Sequence, residues 1–158
     1  MTKELITIAV SSILATIGSV VAVLLVDYIK YKYIRPKQEF KKLKAKIHGV
    51  LIMYSNRITN PIKYEAITTE NEKYYSEAQY ALRNVAVELE LLINEHDIKV
   101  FKGITIEQLN TVKGNLFYLS NALFITQYEQ SIITATHNGK IKDEIIKTLS
   151  LKNETHKI

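Results

Sequence analysis

The sequence predicts an all-α chain: one N-terminal transmembrane helix followed by a cytosolic antiparallel helical bundle. Two observations predict it. Residues 5–26 read LITIAVSSILATIGSVVAVLLV, with no charge, proline, asparagine or glutamine, and as a helix they cover the ~30 Å of a hydrocarbon core. From residue 39 onward the apolar residues instead fall three and four apart, the period of helices that bury one face.

The N-terminal stretch is read as a retained anchor and not as a cleaved signal peptide. Its apolar run exceeds a signal core, only Lys3 precedes it, and no small-x-small site is followed by a soluble start. A leader of residues 1–4 thus precedes the transmembrane helix at 5–26. A basic juxtamembrane segment follows at 27–46, then a cytosolic bundle at 47–151 whose first helix begins near 39, and a tail at 152–158.

The net charge of +5 is unevenly placed: residues 1–46 hold 9 basic and 3 acidic side chains, which leaves 12 against 13 for the rest. The basic excess lies just after the span, so the positive-inside rule puts the C-terminal part in the cytoplasm and the N-terminus outside. Lys30, Lys32, Arg35 and Lys37 stand where lipid headgroups are met, and anionic lipids attract each such charge by ~1 kcal/mol. Tyr28, Tyr31 and Tyr33 fall at the same level, suited to an apolar ring with a polar tip. The near-neutral remainder offers no second basic stripe with interleaved aromatics, which argues against nucleic acid as a partner. The absence of cysteine agrees with a reducing compartment.

Along the chain, Pro36 is expected to end or kink the juxtamembrane helix. An amphipathic helix follows with Phe40, Leu43, Ile47, Val50, Leu51, Tyr54 and Ile58 on one face, stopping near Asn60-Pro61. After Thr68 and Thr69 a second long helix buries Tyr75, Ala78, Leu82, Val85, Ala86, Leu89 and Ile93 and turns Glu77, Arg83, Asn84, Glu88 and Glu90 outward. Gly103 ends a short connection. Thr105 with Gln108 three residues later is a capping box that opens a third helix, whose stripe is Ile106, Leu109, Val112, Leu116, Leu119 and Leu123. Residues 128–136 suit a strand as well as a helix, and with no strand to pair they are read as a helix end and a turn. His137-Asn138-Gly139 is expected to break the chain before a last helix with Ile141, Ile145, Ile146 and Leu149 inward.

No catalytic constellation is legible, and no enzyme activity, metal or cofactor is expected. His48, His96, His137 and His156 are not spaced as helical ligand pairs, and no cysteine completes a tetrahedral site. Glu88 and Glu90 lie on different sides of their helix and read as solvated charges. No phosphate-cradling glycine loop, G-x-S-x-G or H-E-x-x-H occurs.

The span carries more information. At about 100° per residue, Ser11, Ala15, Gly18 and Ala22 fall on one side, where small residues let helices approach closely in a membrane. Ser12, Thr16 and Ser19 form an adjacent hydroxyl stripe that could line a pore in an oligomer. The alternative is that these hydroxyls bond back to their own helix.

Residues 54–61 (YSNRITNP), 77–89 (EAQYALRNVAVEL), 119–124 (LSNALF) and the closing helix at 141–151 together resemble a group of small bacterial proteins with one N-terminal span and a cytosolic, HEPN-like helical bundle. The layout is similar to the membrane accessory proteins of RNA-targeting CRISPR systems, which assemble into pores. HEPN ribonucleases carry R-x(4-6)-H; neither Arg57 nor Arg83 has a histidine at that distance. The resemblance implies a homo-oligomeric protein of the bacterial inner membrane, a pore-forming or membrane-perturbing antiviral effector. The alternative is a single-pass anchor whose bundle docks a cytosolic protein partner. The expected partners are therefore other copies of the chain, anionic lipids and that cytosolic protein.

Overall fold

The computed structural model describes residues 2–96, 101, 103–125 and 130–151, with side chains described throughout except at 2–6, 9, 11, 130 and 131. The fold is all-α. The chain divides into two compact units, Met1–Gln38 and Glu39–Ile158.

The first unit is dominated by α1 (Thr2–Ile29), the one helix among the described residues long and apolar enough to cross a membrane. A π-helical turn, Lys30–Ile34, follows directly, and the chain resumes α-geometry in α2 (Arg35–Met53). Pro36 explains the widening. It has no N–H to give to the Lys32 carbonyl, and its ring crowds that carbonyl, so the turn before it loosens to i→i+5 bonding. The Arg35 N–H accordingly donates to the Lys30 carbonyl. Pro36 therefore loosens a turn, and the helix continues past it.

The second unit is built from α2, α3 (Ser55–Thr59), α4 (Thr69–Glu95), α5 (Ile106–Asn121) and α6 (Gln130–Thr148). Antiparallel packing is read from side-chain ties. Lys46 pairs with Glu88 and Glu39 with His96 across α2 and α4. Arg83 reaches Asn121 and Glu90 reaches Lys113 across α4 and α5, and Asn115 reaches Glu144 across α5 and α6. The predicted stripes form one core: Ile47, Leu51, Leu82, Leu89, Leu116 and Ile145 are all but fully buried. Each such side chain contributes about 1.5–3 kcal/mol. Phe40 and Leu43 belong to that core as well, so the unit begins at Glu39 and the later half of the basic 27–46 segment is core helix.

The caps follow the sequence. Thr68 accepts from the Asn71 N–H at 3.2 Å at the start of α4. At α5, Thr105 and Gln108 exchange hydrogen bonds of 3.1 and 2.9 Å as the capping box requires. Gly103 has φ +80°, a backbone that L side chains rarely adopt, and turns the chain after Phe101, whose ring stands edge-on to Phe40 at 5.0 Å.

Three expectations are corrected. The helix that begins near 39 does not run unbroken to Asn60: α2 ends at Met53, Tyr54 sits at φ −103°, ψ 13°, and the single turn of α3 follows. The only strand pair among the described residues is a two-residue parallel bridge, β1 (Ile62–Lys63) with β2 (Phe124–Ile125). Residues 130–136 belong to α6, while Tyr128 and Glu129 lie outside the described residues. Finally, His137-Asn138-Gly139 does not break the chain, because α6 runs straight through it. Glycine inside a helix costs only about 1 kcal/mol relative to alanine. Against that, Asn138 is fully buried and its amide donates to the Ile58 carbonyl at 2.9 Å and the Ala122 carbonyl at 3.5 Å.

Candidate functional site

The helix α1 presents apolar side chains on every side. Its described large apolar residues from Ile8 to Ile29 are each between 48 and 63% exposed. Exposed apolar surface of that extent marks a region that another protein or a membrane covers. Along it, a Cβ added at Gly18 would meet nothing within 4 Å, and Ala15 and Ala22 are likewise exposed, so this side is open to another helix. The Ser11 side chain lies outside the described residues.

All three members of the hydroxyl stripe bond to their own helix. Ser12 Oγ donates to the Ile8 carbonyl, Thr16 Oγ1 to the Ser12 carbonyl and Ser19 Oγ to the Thr16 carbonyl, each at 2.8 Å. Their donor hydrogens are thereby engaged, and what they offer outward is oxygen lone pairs.

At the headgroup level, Lys32 Nζ donates to the Tyr28 hydroxyl at 2.9 Å and lies 5.4 Å and 5.8 Å from the Tyr28 and Tyr33 ring centroids. Lys30 lies 3.9 Å from Asp27. Arg35 and Lys37 are exposed at the start of α2.

In the second unit, α2 and α4 enclose an open groove of about 340 Å³, with Leu43, Leu91 and Leu92 as an apolar floor and Lys42, Lys46, Glu88 and Glu95 among its rims. Leu91 is 53% exposed and continues onto a stripe of α4 with Val87 and Tyr80, the last 69% exposed. Tyr80, Val87 and Leu91, seven and four residues apart, lie on one side of the helix and form a second apolar edge, interrupted at Asn84, on a helix whose other face is already in the core. The outward-turned set of charges read from the sequence left it out, although the spacing of Tyr80, Val87 and Leu91 carried the signal.

The polar residues singled out earlier act as ties. Arg83 donates to Ser120 Oγ at 3.4 Å and to Asn121 Oδ1 at 2.7 Å. The Arg57 guanidinium lies 5.4 Å from both the Tyr54 and Tyr74 rings. Glu88 and Glu90 are held by different lysines, Lys46 and Lys113, and do not converge. His96 lies 3.4 Å from Glu39 and His137 stands edge-on to Tyr118, while His156 lies outside the described residues. Among the described residues no three His, Cys, Asp or Glu side chains gather as metal ligands. Tyr75 donates its hydroxyl to the Asn60 carbonyl at 2.6 Å, and burial pushes its phenol above the usual tyrosine value against the lowering influence of Arg57.

No protein-family model, curated protein or solved structure matches the chain.

Proposed function

We propose that α1 crosses the inner membrane of a bacterium and holds the helical bundle at its cytoplasmic face, where the α2–α4 groove docks a cytosolic protein. The observation that carries this reading is the apolar surface of α1, which is exposed on all sides and is covered only in a hydrocarbon phase. The lysine-rich flank supports the orientation. The exposed apolar edge of α4 beside the groove, Tyr80, Val87 and Leu91, suits the apolar face of an amphipathic helix. Self-association through Ser11, Ala15, Gly18 and Ala22 belongs to the same proposal and is supported by the small size of these four residues at helical spacing.

The antiviral pore that the resemblance implies makes a further demand: Ser12, Thr16 and Ser19 must line an aqueous axis. With their hydrogens returned to the helix, such a ring presents acceptors and favours water and cations over anions.

Fusing a periplasm-active phosphatase to the C-terminus tests the topology. The fusion is expected to resist alkaline carbonate extraction and to be inactive, whereas an active phosphatase overturns the orientation and release by carbonate overturns the span.

A further inference from the structure

The outward sides of α2 and α4 complement each other. On α4, the large side chains of Tyr80, Val87 and Leu91 stand exposed on the side opposite the core. On α2, the side opposite Phe40, Leu43 and Ile47 carries Ala45, Gly49 and Ile52, all exposed, and a Cβ added at Gly49 would meet nothing within 4 Å. One helix offers knobs and the other the room for them. The two run antiparallel, and the ties of Lys46 to Glu88 and of Glu39 to His96 fix their relative height. At about 1.5 Å per residue, Ala45 therefore stands within about one residue of the level of Leu91, and Gly49 of Val87. Within one copy these side chains face outward side by side.

A second copy related by a two-fold axis parallel to the two helices keeps every height and exchanges α2 for α4. Its Leu91 and Val87 then meet Ala45 and Gly49 of the first copy, and the converse, while Ile52 falls between Tyr80 and Asn84. Lys42 and Glu95 line the rims of the groove and have no hydrogen bond or ion pair to another described residue. Across the axis, Lys42 of one copy and Glu95 of the other come within about 4 Å of one height. Both copies also begin α2 at the same end, as two chains anchored in one membrane require. A two-fold axis running across the helices would send those starts to opposite ends.

Resting on the docking reading of this face and naming its occupant, we propose that the α2–α4 face closes on the same face of a second copy, as an isologous dimer with each α2 packed antiparallel on the other copy's α4. The chain has no cysteine, so cross-linking reads the contact directly. Full-length Gly49→Cys and Val87→Cys chains bearing different tags are expressed in one membrane and oxidised with copper phenanthroline. Disulfide-linked dimers are expected only between differently tagged chains, because Gly49 faces Val87 and neither faces itself. Lys42→Glu in both chains, or Glu95→Lys in both, should each lower the yield about tenfold. Lys42→Glu in one chain with Glu95→Lys in the other should restore it, since each charge again meets its opposite across the axis. Disulfides between chains of one tag, no disulfide at all, or a loss that the mixed pair leaves unrestored overturns the dimer. A photo-cross-linker at Val87 that traps a protein of another mass overturns the second copy while leaving the docking reading. Release of the chain by alkaline carbonate overturns the membrane reading itself, whatever the cross-links.

Discussion

Replacing Asn138 probes the contact on which the closing helix depends. Its amide Nδ2 is the donor for the Ile58 carbonyl at 2.9 Å and is 3.5 Å from the Ala122 carbonyl, while Oδ1 has no hydrogen-bond partner among the described residues. Asn138→Ala leaves the Ile58 carbonyl short of a donor, about 1–3 kcal/mol, and opens a small void, offset in part by removal of the unpaired oxygen. A net destabilisation of about 2 kcal/mol follows. Asn138→Asp keeps the shape but turns an acceptor, and at neutral pH a charge, toward that carbonyl in a fully buried position; the expected cost exceeds about 3 kcal/mol. Thermal unfolding of the full chain in mild detergent, followed by the near-ultraviolet signal of the tyrosines, should show a fall of about 8–12 °C for alanine and a larger one for aspartate. Aspartate tolerated as well as alanine, or alanine within about 0.5 kcal/mol of wild type, would refute the donor role assigned to this amide.

Gly18→Leu should reduce the oligomer mass of the detergent-solubilised protein without changing its helicity, since the new side chain enters the open space that a neighbouring helix would occupy. Replacing Ser12, Thr16 and Ser19 together by alanine should leave assembly intact and, if they line an axis, abolish membrane depolarisation on overexpression as measured with a potential-sensitive dye; unchanged depolarisation removes the pore. Arg83→Ala should cost about 1–2 kcal/mol in chemical denaturation, because it severs the tie from α4 to Ser120 and Asn121. Tyr75→Phe should cost about 1 kcal/mol at neutral pH by loss of the bond to the Asn60 carbonyl. Because the folded-state pKa of Tyr75 lies above its unfolded value, its contribution is fully present below pH ~10 and is lost as pH rises through the folded value. The Phe variant should therefore lack that alkaline limb of the stability profile.

Much of this molecule is dictated locally. An uninterrupted apolar run over residues 5–26 fixes a helix long and apolar enough to cross a membrane. The three-and-four spacing of Leu82, Val85, Ala86 and Leu89 fixes a buried face, and Thr105 with Gln108 fixes a helix start, because each depends on neighbours within a turn or two. What the tertiary structure alone decided depends on distant partners or on a winding that departs from 100° per residue. Asn138 reads as a chain breaker until Ile58, 80 residues away, supplies the carbonyl that keeps it inside a helix. Ile62 and Phe124 are too short a pair for either to announce a strand alone. The i→i+5 bonding across Lys30–Ile34 is such a departure, and Pro36, which leaves the turn before it without its usual hydrogen bond, is its one local sign.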